Sequence, residues 1–199
     1  MPQSIPRLLV RRLSNAVLHE VSFQLGAGEI VCIRGASGAG KSRLLRAICD
    51  LDENRGEVRL DDTSREAIAA PRWRRLAALL PAESTWWEDT PGAHFSRQPP
   101  YPPEDLGLDA GILDQPMARL SSGERQRLAL LRVLALEPRV VLLDEPTSNL
   151  DAENGRRMEE LVQRHVATTD ASVLWITHDA AQAARMGQRT LTMAAGTLT

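Results

Sequence analysis

The sequence predicts an α/β fold built on a mostly parallel sheet. Three observations predict it. Short apolar runs, rich in leucine and β-branched residues, alternate with stretches of helical spacing. Several of these runs are apolar throughout rather than every second residue, the pattern of strands buried on both faces. One run leads directly into the glycine-rich "GASGAGKS", and another, "VVLLDE", ends in two adjacent carboxylates.

Taken in order, the predicted strands are Leu8–Val10, Val21–Leu25, Ile30–Ile33, Val58–Leu60, Leu76–Leu80, Val140–Leu143, Val173–Ile176 and Arg189–Met193. Most are bounded by charges or glycine, which mark the turns. Met158, Leu161, Val162 and His165 follow a three-four spacing with charges opposite, which predicts a helix. A second helical stripe runs from Glu124 to Leu136 and stops near Pro138. The segment Pro91 to Pro116 contains "RQPPYPPEDLG". Proline there excludes a long helix or a central strand, so the segment reads as a short insert. Trp73, set among arginines, is expected to be a half-buried surface anchor. No internal repeat or low-complexity linker is present.

Composition narrows the class. With 43% hydrophobic and 25% charged residues over 199 positions, the chain suits one well-buried domain. A net charge of −2 gives no broad attraction to nucleic acid or an anionic membrane, and no nucleic-acid partner is expected. No apolar run reaches about 18 residues, and "MPQSIPRLLVRR" lacks the apolar stretch of a secretory leader. Cys32 and Cys49 sit in apolar surroundings without metal-type spacing, and are expected to be buried thiols in a reducing cytosol.

The glycines have a chemical purpose. Gly35, Ala36, Ser37, Gly38, Ala39, Gly40, Lys41 and Ser42 match the phosphate-loop pattern G-x-x-x-x-G-K-[ST]. Such a loop points backbone N–H groups at phosphate oxygens, and glycine permits the backbone to wrap that closely. The helix opening at Lys41 adds the partial positive charge of its N-terminus. Lys41 would neutralise the β and γ phosphates, Ser42 would offer its hydroxyl to Mg²⁺, and Arg43 follows within the same first turn. At the end of a parallel strand, Asp144 would reach that metal and Glu145 would polarise an attacking water.

A third element, "LSSGERQR" from Leu120 to Arg127, resembles the signature of the ATP-binding cassette (ABC) ATPases. The order of elements is also similar to that family: phosphate loop, insert, signature, Asp-Glu strand, Ser148-Asn149-Leu150-Asp151 as D-loop, and "VLWITHD" carrying His178. The resemblance spans Gly35 to Asp179. It implies a phosphate-loop NTPase with an ABC-type core, an N-terminal antiparallel β part and a small helical subdomain. The whole of 1–199 would be one nucleotide-binding domain, with a core of 1–83 and 128–199 and an insert of 84–127. It further implies an ATPase using ATP and Mg²⁺. Two copies would close head to tail on two nucleotides. Ser121, Ser122 and Gly123 of the signature, which Glu124 completes, would then meet the γ-phosphate held by the other copy, and Asp151 would cross the interface. Glu145 is the expected general base, with His178 contacting the γ-phosphate and Lys41 the phosphates. A separately encoded integral-membrane permease is the implied partner, which would hold the protein at the inner face of the cell membrane from the cytoplasm.

Departures from the family pattern are specific. Ser122 replaces the second signature glycine and Glu124 its glutamine. Glu124 would repel ATP if it faced the phosphates, and would not if it pointed away. Where the family has an apolar strand ending in glutamine, this chain reads "AALLPAESTWWED". Either Glu83 takes that place, as a further metal ligand, or Ala82 does and the side chain is lost. The aromatic that stacks on adenine is missing: Phe23, the one aromatic before Gly35, fits the core pattern of "VSFQL". Either adenine stacking is absent or Arg11 or Arg12 supplies it, and preference for ATP over GTP is open. Trp86 and Trp87 either anchor a helix of the membrane partner or pack beneath the insert. The short span before the signature, "EDT" and "VLWITHD" resemble the ATPase subunit of a proposed bacterial iron exporter. The competing readings are a soluble ABC ATPase of DNA repair or translation, and a nucleotide sensor with weak hydrolysis.

Overall fold

The computed structural model describes residues 5–199. Along the chain run β1 (Leu8–Ser14), β2 (Val21–Leu25), β3 (Ile30–Arg34), α1 (Lys41–Ile48), β4 (Arg55–Leu60), β5 (Thr63–Ser64), α2 (Ala70–Leu76) and β6 (Ala77–Leu80). They are followed by α3 (Ser122–Leu134), β7 (Val140–Asp144), α4 (Ala152–Thr169), β8 (Ser172–Ile176), α5 (Ala180–Met186), β9 (Arg189–Ala194) and β10 (Thr197–Leu198). One sheet has the order β2-β1-β4-β5 and the other β10-β9-β3-β8-β7-β6. The first is antiparallel. In the second, β9, β3, β8, β7 and β6 pair in parallel, and β10 closes the edge antiparallel to β9.

The continuous apolar runs are strands covered on both faces. Cys32, Val141, Leu143, Val173 and Trp175 point into one core cluster with α3, α4 and α5. Their neighbours Val31, Ile33, Val140, Leu142, Leu174 and Ile176 point into a second, with α1 and the antiparallel sheet. Side-chain direction alternates along each strand, so a strand between two helical layers needs apolar residues at every position. At about 25 cal/mol per Å² of apolar surface, these buried strands supply much of the driving force for folding. Cys32 and Cys49 are buried free thiols, and burial pushes Cys32 up to about 11 and Cys49 to about 12.

Trp73 corrects the sequence reading: it is fully buried in the second cluster, and its Nε1 donates to the Ile48 carbonyl at 2.8 Å. Arg72, Arg74 and Arg75 flank it in sequence, but neighbours on a helix diverge by about 100°. The arginines therefore face water while the indole faces inward. Phe23 is partly buried against the same cluster, as the strand pattern requires.

Prolines leave the insert no room for an α-helix. It folds as 3-10 turns at Gly92–His94, Pro103–Leu106, Ile112–Asp114 and Met117–Arg119. Leu106, Leu108, Ile112 and Leu120 drop into the first cluster and fasten it. Arg127 clamps it further, donating to the carbonyl of Leu106 at 2.7 Å and to Asn154 Oδ1 at 2.8 Å. The helix α3 runs unbroken through 127–128, so the insert and the core share it.

His165 on α4 is 3% exposed, with Nδ1 3.1 Å from the Tyr101 hydroxyl and Nε2 without a hydrogen-bond partner. Burial lowers its pKa, so the folded ring stays neutral where an unfolded histidine protonates. Arg164, stacked over Tyr101, is paired with Asp105, and Thr168 also lies against the Tyr101 hydroxyl. The unfolded chain then binds the extra proton, and stability is lost as pH falls through about 6.5. Between pH 7.5 and 5.5 the wild-type chain is expected to lose up to about 1.4 kcal/mol more than His165→Leu. Urea denaturation at the two pH values measures this, and equal losses would refute it.

Candidate nucleotide site

The site begins where β3 ends. Residues 35–40 turn over the strand end, and α1 starts at Lys41 with Gly40 as its N-cap at φ 105°. Glycine at position 35 is required by close approach: a Cβ there would stand 2.1 Å from the Met193 carbonyl oxygen. At Gly38 the φ of +78° requires it, while the space around it is open. Lys41, only 7% exposed, folds back over the loop, its Nζ donating to the carbonyls of Gly35 at 2.8 Å and Ala36 at 2.9 Å. The loop thus holds an ammonium at its centre, beside the first turn of a helix.

Parallel pairing carries the other groups to the same edge. Ile33 lies opposite Ile176, and Ile176 opposite Asp144. The next residues leave the sheet together, with Glu145 N donating to Ile176 O at 3.1 Å and Thr177 N to Ile33 O at 3.2 Å. Burial raises the pKa of Asp144, the Ser42 hydroxyl pulls it back, Glu145 raises it and Lys41 lowers it. A hydroxyl and a carboxylate that meet in this way are hard oxygen donors, and the partly uncompensated carboxylate favours a cation. Mg²⁺ is commonly held by few protein oxygens, with substrate phosphates and water completing its shell. Ser42 and Asp144 fit that role. Glu83 and Ala82 lie in the bend after β6; Glu83 is exposed and makes no hydrogen bond to Ser42 or Asp144.

Glu145 takes a left-handed backbone, φ 46°. Its Oε2 lies 3.4 Å from His178 Nδ1. The two residues, with Thr147 and Gln182, line a cavity of about 160 Å³. Gln182 was not legible in the sequence beyond being a polar residue among the alanines of "DAAQAA". It is buried, and its Nε2 donates to Thr147 Oγ1 at 2.8 Å and to Glu159 Oε1 at 2.7 Å. Its Oε1 accepts from Trp175 Nε1 at 3.3 Å, and Arg185 pairs with Glu159. One amide therefore ties the turn after Glu145 to the helix after His178.

The signature turn is a helix cap. Ser121 caps α3, accepting from Glu124 N at 3.2 Å, while Glu124 Oε2 accepts from Ser121 N at 2.8 Å and from its hydroxyl at 2.7 Å. This capping box turns the Glu124 carboxylate back toward Ser121 and lowers its pKa, chiefly through the Ser121 hydroxyl. Ser122 is exposed, and a Cβ on Gly123 would stand 3.1 Å from Leu150 Cδ2. Asp151 caps α4 in the same manner, accepting from Asn154 N at 2.9 Å and Nδ2 at 2.7 Å. Among the described residues no hydrogen bond or ion pair joins 121–124 to the phosphate loop. Gln126 links α3 to the bend after β6, donating to Pro81 O at 3.2 Å and accepting from Ser84 Oγ at 3.0 Å. Arg11 pairs with Glu57, and Arg12 with Glu20.

A phosphate loop opening a helix beside an Asp-Glu strand end, on a parallel sheet with a capped signature helix, defines a nucleotide-hydrolysing domain. The sequence profile of the ABC transporter family matches residues 18–148, and the chain belongs to that family. It is an ATPase subunit of the kind that serves import and export systems. It is 34% identical over 176 residues to the probable iron export ATP-binding protein FetA of Escherichia coli K12, covering 82% of this chain and 78% of that one. It is 37% identical to the lipoprotein-releasing system ATP-binding protein LolD 1 of Caulobacter vibrioides, covering 92% and 86%. With the aliphatic sulfonates import ATP-binding protein SsuB 2 of Burkholderia cenocepacia it shares 35%, covering 97% and 74%. Among solved structures, the ATP binding subunit of an ABC transporter superposes with a TM-score of 0.85 at 26% identity, covering 96% of this chain and 87% of that one. A dimeric cassette in a post-hydrolysis state bound to ADP and Pi gives 0.83 at 22%, covering 96% of each, and shows the shared fold.

Gln182 bonds neither Glu145 nor His178 directly and is expected to position them through Thr147 and α5. Gln182→Leu is expected to lower kcat about ten- to a hundredfold with KM little changed. A purely structural role would lower the melting temperature and leave kcat per folded molecule intact, so steady-state kinetics alongside thermal melts separates the two.

Proposed function

We propose that two copies of this chain close around two ATP–Mg²⁺ units and drive a separately encoded membrane permease. The observation that carries this reading is the row of strand ends at which Lys41, Ser42, Asp144, Glu145 and His178 converge. The N–H groups of 35–41 and the Lys41 ammonium cradle the β and γ phosphates, with Arg43 on the next turn position of α1. Ser42 and Asp144 hold Mg²⁺, which when bound neutralises phosphate charge. Glu145 takes a proton from the attacking water as its oxygen bonds to the γ-phosphorus. The bond to the bridging oxygen breaks, and ADP leaves with that electron pair. His178, beside Glu145, steadies the same water and the γ-phosphate. Ser121, Ser122 and Gly123 of one copy meet the γ-phosphate of the other, with Glu124 turned back to cap that turn, and Asp151 crosses between them. Hydrolysis removes the shared phosphate and lets the copies part. The one domain is the whole of 1–199, with 84–127 as its insert, and Glu83 is a further candidate metal ligand.

Trp86 and Trp87 support docking of a permease helix. Trp87 is 70% exposed. Its ring and that of Trp86 meet His94 edge-on at 4.7 and 4.8 Å, and the Arg132 guanidinium lies 4.2 Å from the Trp86 ring centre. Arg132 in turn donates to Thr85 O. An exposed aromatic held this rigidly is suited to anchor an apolar partner at little entropic cost. No helix among the described residues is long and apolar enough to cross a membrane, so attachment would come through that partner, on the cytoplasmic side. Iron export is the cargo reading, supported by the likeness to FetA. The relatives compared are named for transport, which does not favour the soluble alternative.

Glu145→Gln with ATP and Mg²⁺ is expected to run as a dimer in light scattering and to hydrolyse at least about a hundredfold more slowly. Native turnover in a folded Glu145→Gln protein would overturn the mechanism. Trp87→Ala is expected to keep basal ATPase while losing co-purification with the membrane permease that wild type recovers. Recovery equal to wild type would remove Trp87 from the docking surface.

A further inference from the structure

A cavity of about 500 Å³ opens where the parallel strands begin, on the edge opposite the phosphate loop. It lies between Arg7, the strap at Pro100 and Tyr101, residues 134–139 ahead of β7, and residues 169–171 ahead of β8. Ser172 N donates to Arg139 O at 3.0 Å, so the two turns stand side by side. The cavity shares no lining residue with the one at Glu145 and His178. Tyr101, Leu134 and Pro138 make much of its wall apolar. Apolar walls with a few placed charges are the usual form of a small-molecule site.

The charges around it form two unmatched poles. Arg7 and Arg139 share one carboxylate, that of Asp61, and each bonds it through Nη1 alone. One positive charge is therefore in excess on that wall. Two buried nitrogens of the lining residues, Arg7 Nε and His165 Nε2, have no hydrogen-bond partner, backbone carbonyls included. Buried polar groups normally find partners, so this wall is short of acceptors as well as of negative charge. At the rim the balance reverses. Glu137 is matched by Arg97 at 2.8 Å. Asp170 is exposed, and among the described residues its carboxylate makes no hydrogen bond or ion pair. It caps α4 in the left-handed region, at φ 55°, a conformation that asparagine accepts equally well.

We propose that this cavity binds a free α-amino acid with an apolar side chain. The carboxylate meets Arg7 and Arg139, the ammonium meets Asp170, and the side chain lies against Tyr101, Leu134 and Pro138. A spare cation and a spare anion around an apolar space match the charges of a zwitterion, and guanidinium groups suit its carboxylate. Isothermal titration of the nucleotide-free protein with L-phenylalanine tests this. A Kd below about 1 mM is expected, and a weaker one overturns the proposal. Hydrocinnamate lacks the ammonium, phenethylamine the carboxylate and glycine the apolar body. Each is expected to bind at least about tenfold more weakly, and a smaller loss for any of them overturns recognition of an apolar zwitterion. Asp170→Asn is expected to weaken L-phenylalanine at least about fivefold while hydrocinnamate binds no worse, since that variant removes only the partner of the ammonium. Should Asp170→Asn melt early, Arg139→Gln makes the same test at the other pole, weakening L-phenylalanine while phenethylamine binds no worse. L-Phenylalanine bound equally well by the folded variant overturns the assignment. Basal ATPase is expected to be unchanged in both variants. The titration needs no nucleotide, so its failure leaves the ATPase reading standing, and loss of that reading leaves this one standing.

Discussion

The structure depends on the parallel register that sets Ile33, Ile176 and Asp144 in one row. Each strand is covered on both faces, so a slip of one residue would exchange the two apolar sets and drive both against the wrong helices. That penalty is what makes the row precise. Because the chain leaves the row at the same level from each strand, the phosphate loop, Glu145 and His178 emerge side by side. The chemistry inherits its geometry from packing. The same constraint explains the left-handed Glu145: directly after the last paired residue, the chain must turn sharply into Pro146, and its N–H is still bound to Ile176. A strained backbone persists only where its surroundings over-determine it, and here a strand, a proline and the Gln182 hub do so.

Most of the sheet was legible because burial on two faces forces a composition. The eight runs read from the sequence are strands, and their ends differ by a few residues at most. β5 and β10 were not legible: each has two residues, polar in part, and exists through pairing with a neighbour. The phosphate loop and the Asp-Glu pair could be read because phosphate and metal chemistry admits few residue types. Gln182 could not, since its role arises from four elements meeting in space. Trp73 was misread by weighing chain neighbours, whereas a helix sorts residues by angle. The missing stacking aromatic was visible in the sequence, but the Arg43–Asp52 ion pair was not, because the two lie on either side of a turn.

The capping residues show that a residue can be structural and available for function at once. Ser121 and Glu124 satisfy the first N–H groups of α3, as Asp151 does for α4. Glu124 spends its charge on Ser121, and a carboxylate at a helix N-terminus is already stabilised by the dipole. The departure from glutamine therefore brings less free negative charge to the signature than its formula indicates. Ser121 keeps its hydroxyl occupied from both sides, so an incoming phosphate oxygen must compete with Glu124 for that proton. The backbone N–H groups of Ser122 and Gly123 carry correspondingly more of any anion contact.

Relatives of comparable identity, 34 to 37%, bear names for iron export, lipoprotein release and sulfonate import. The same nucleotide chemistry on the same fold thus goes with relatives named for different cargoes. Cargo and direction must then be set by surfaces that the hydrolytic core leaves free to vary. In this chain the chemically distinctive surface is the bend after β6, with its paired tryptophans, His94 and Arg132. Gln126 joins that bend to the signature helix by hydrogen bonds at both ends of one amide. On the proposed docking, a partner pressing on Trp87 would act through this bend on the signature helix, and the route from cargo to hydrolysis would be a short chain of packed and bonded groups rather than the length of the domain.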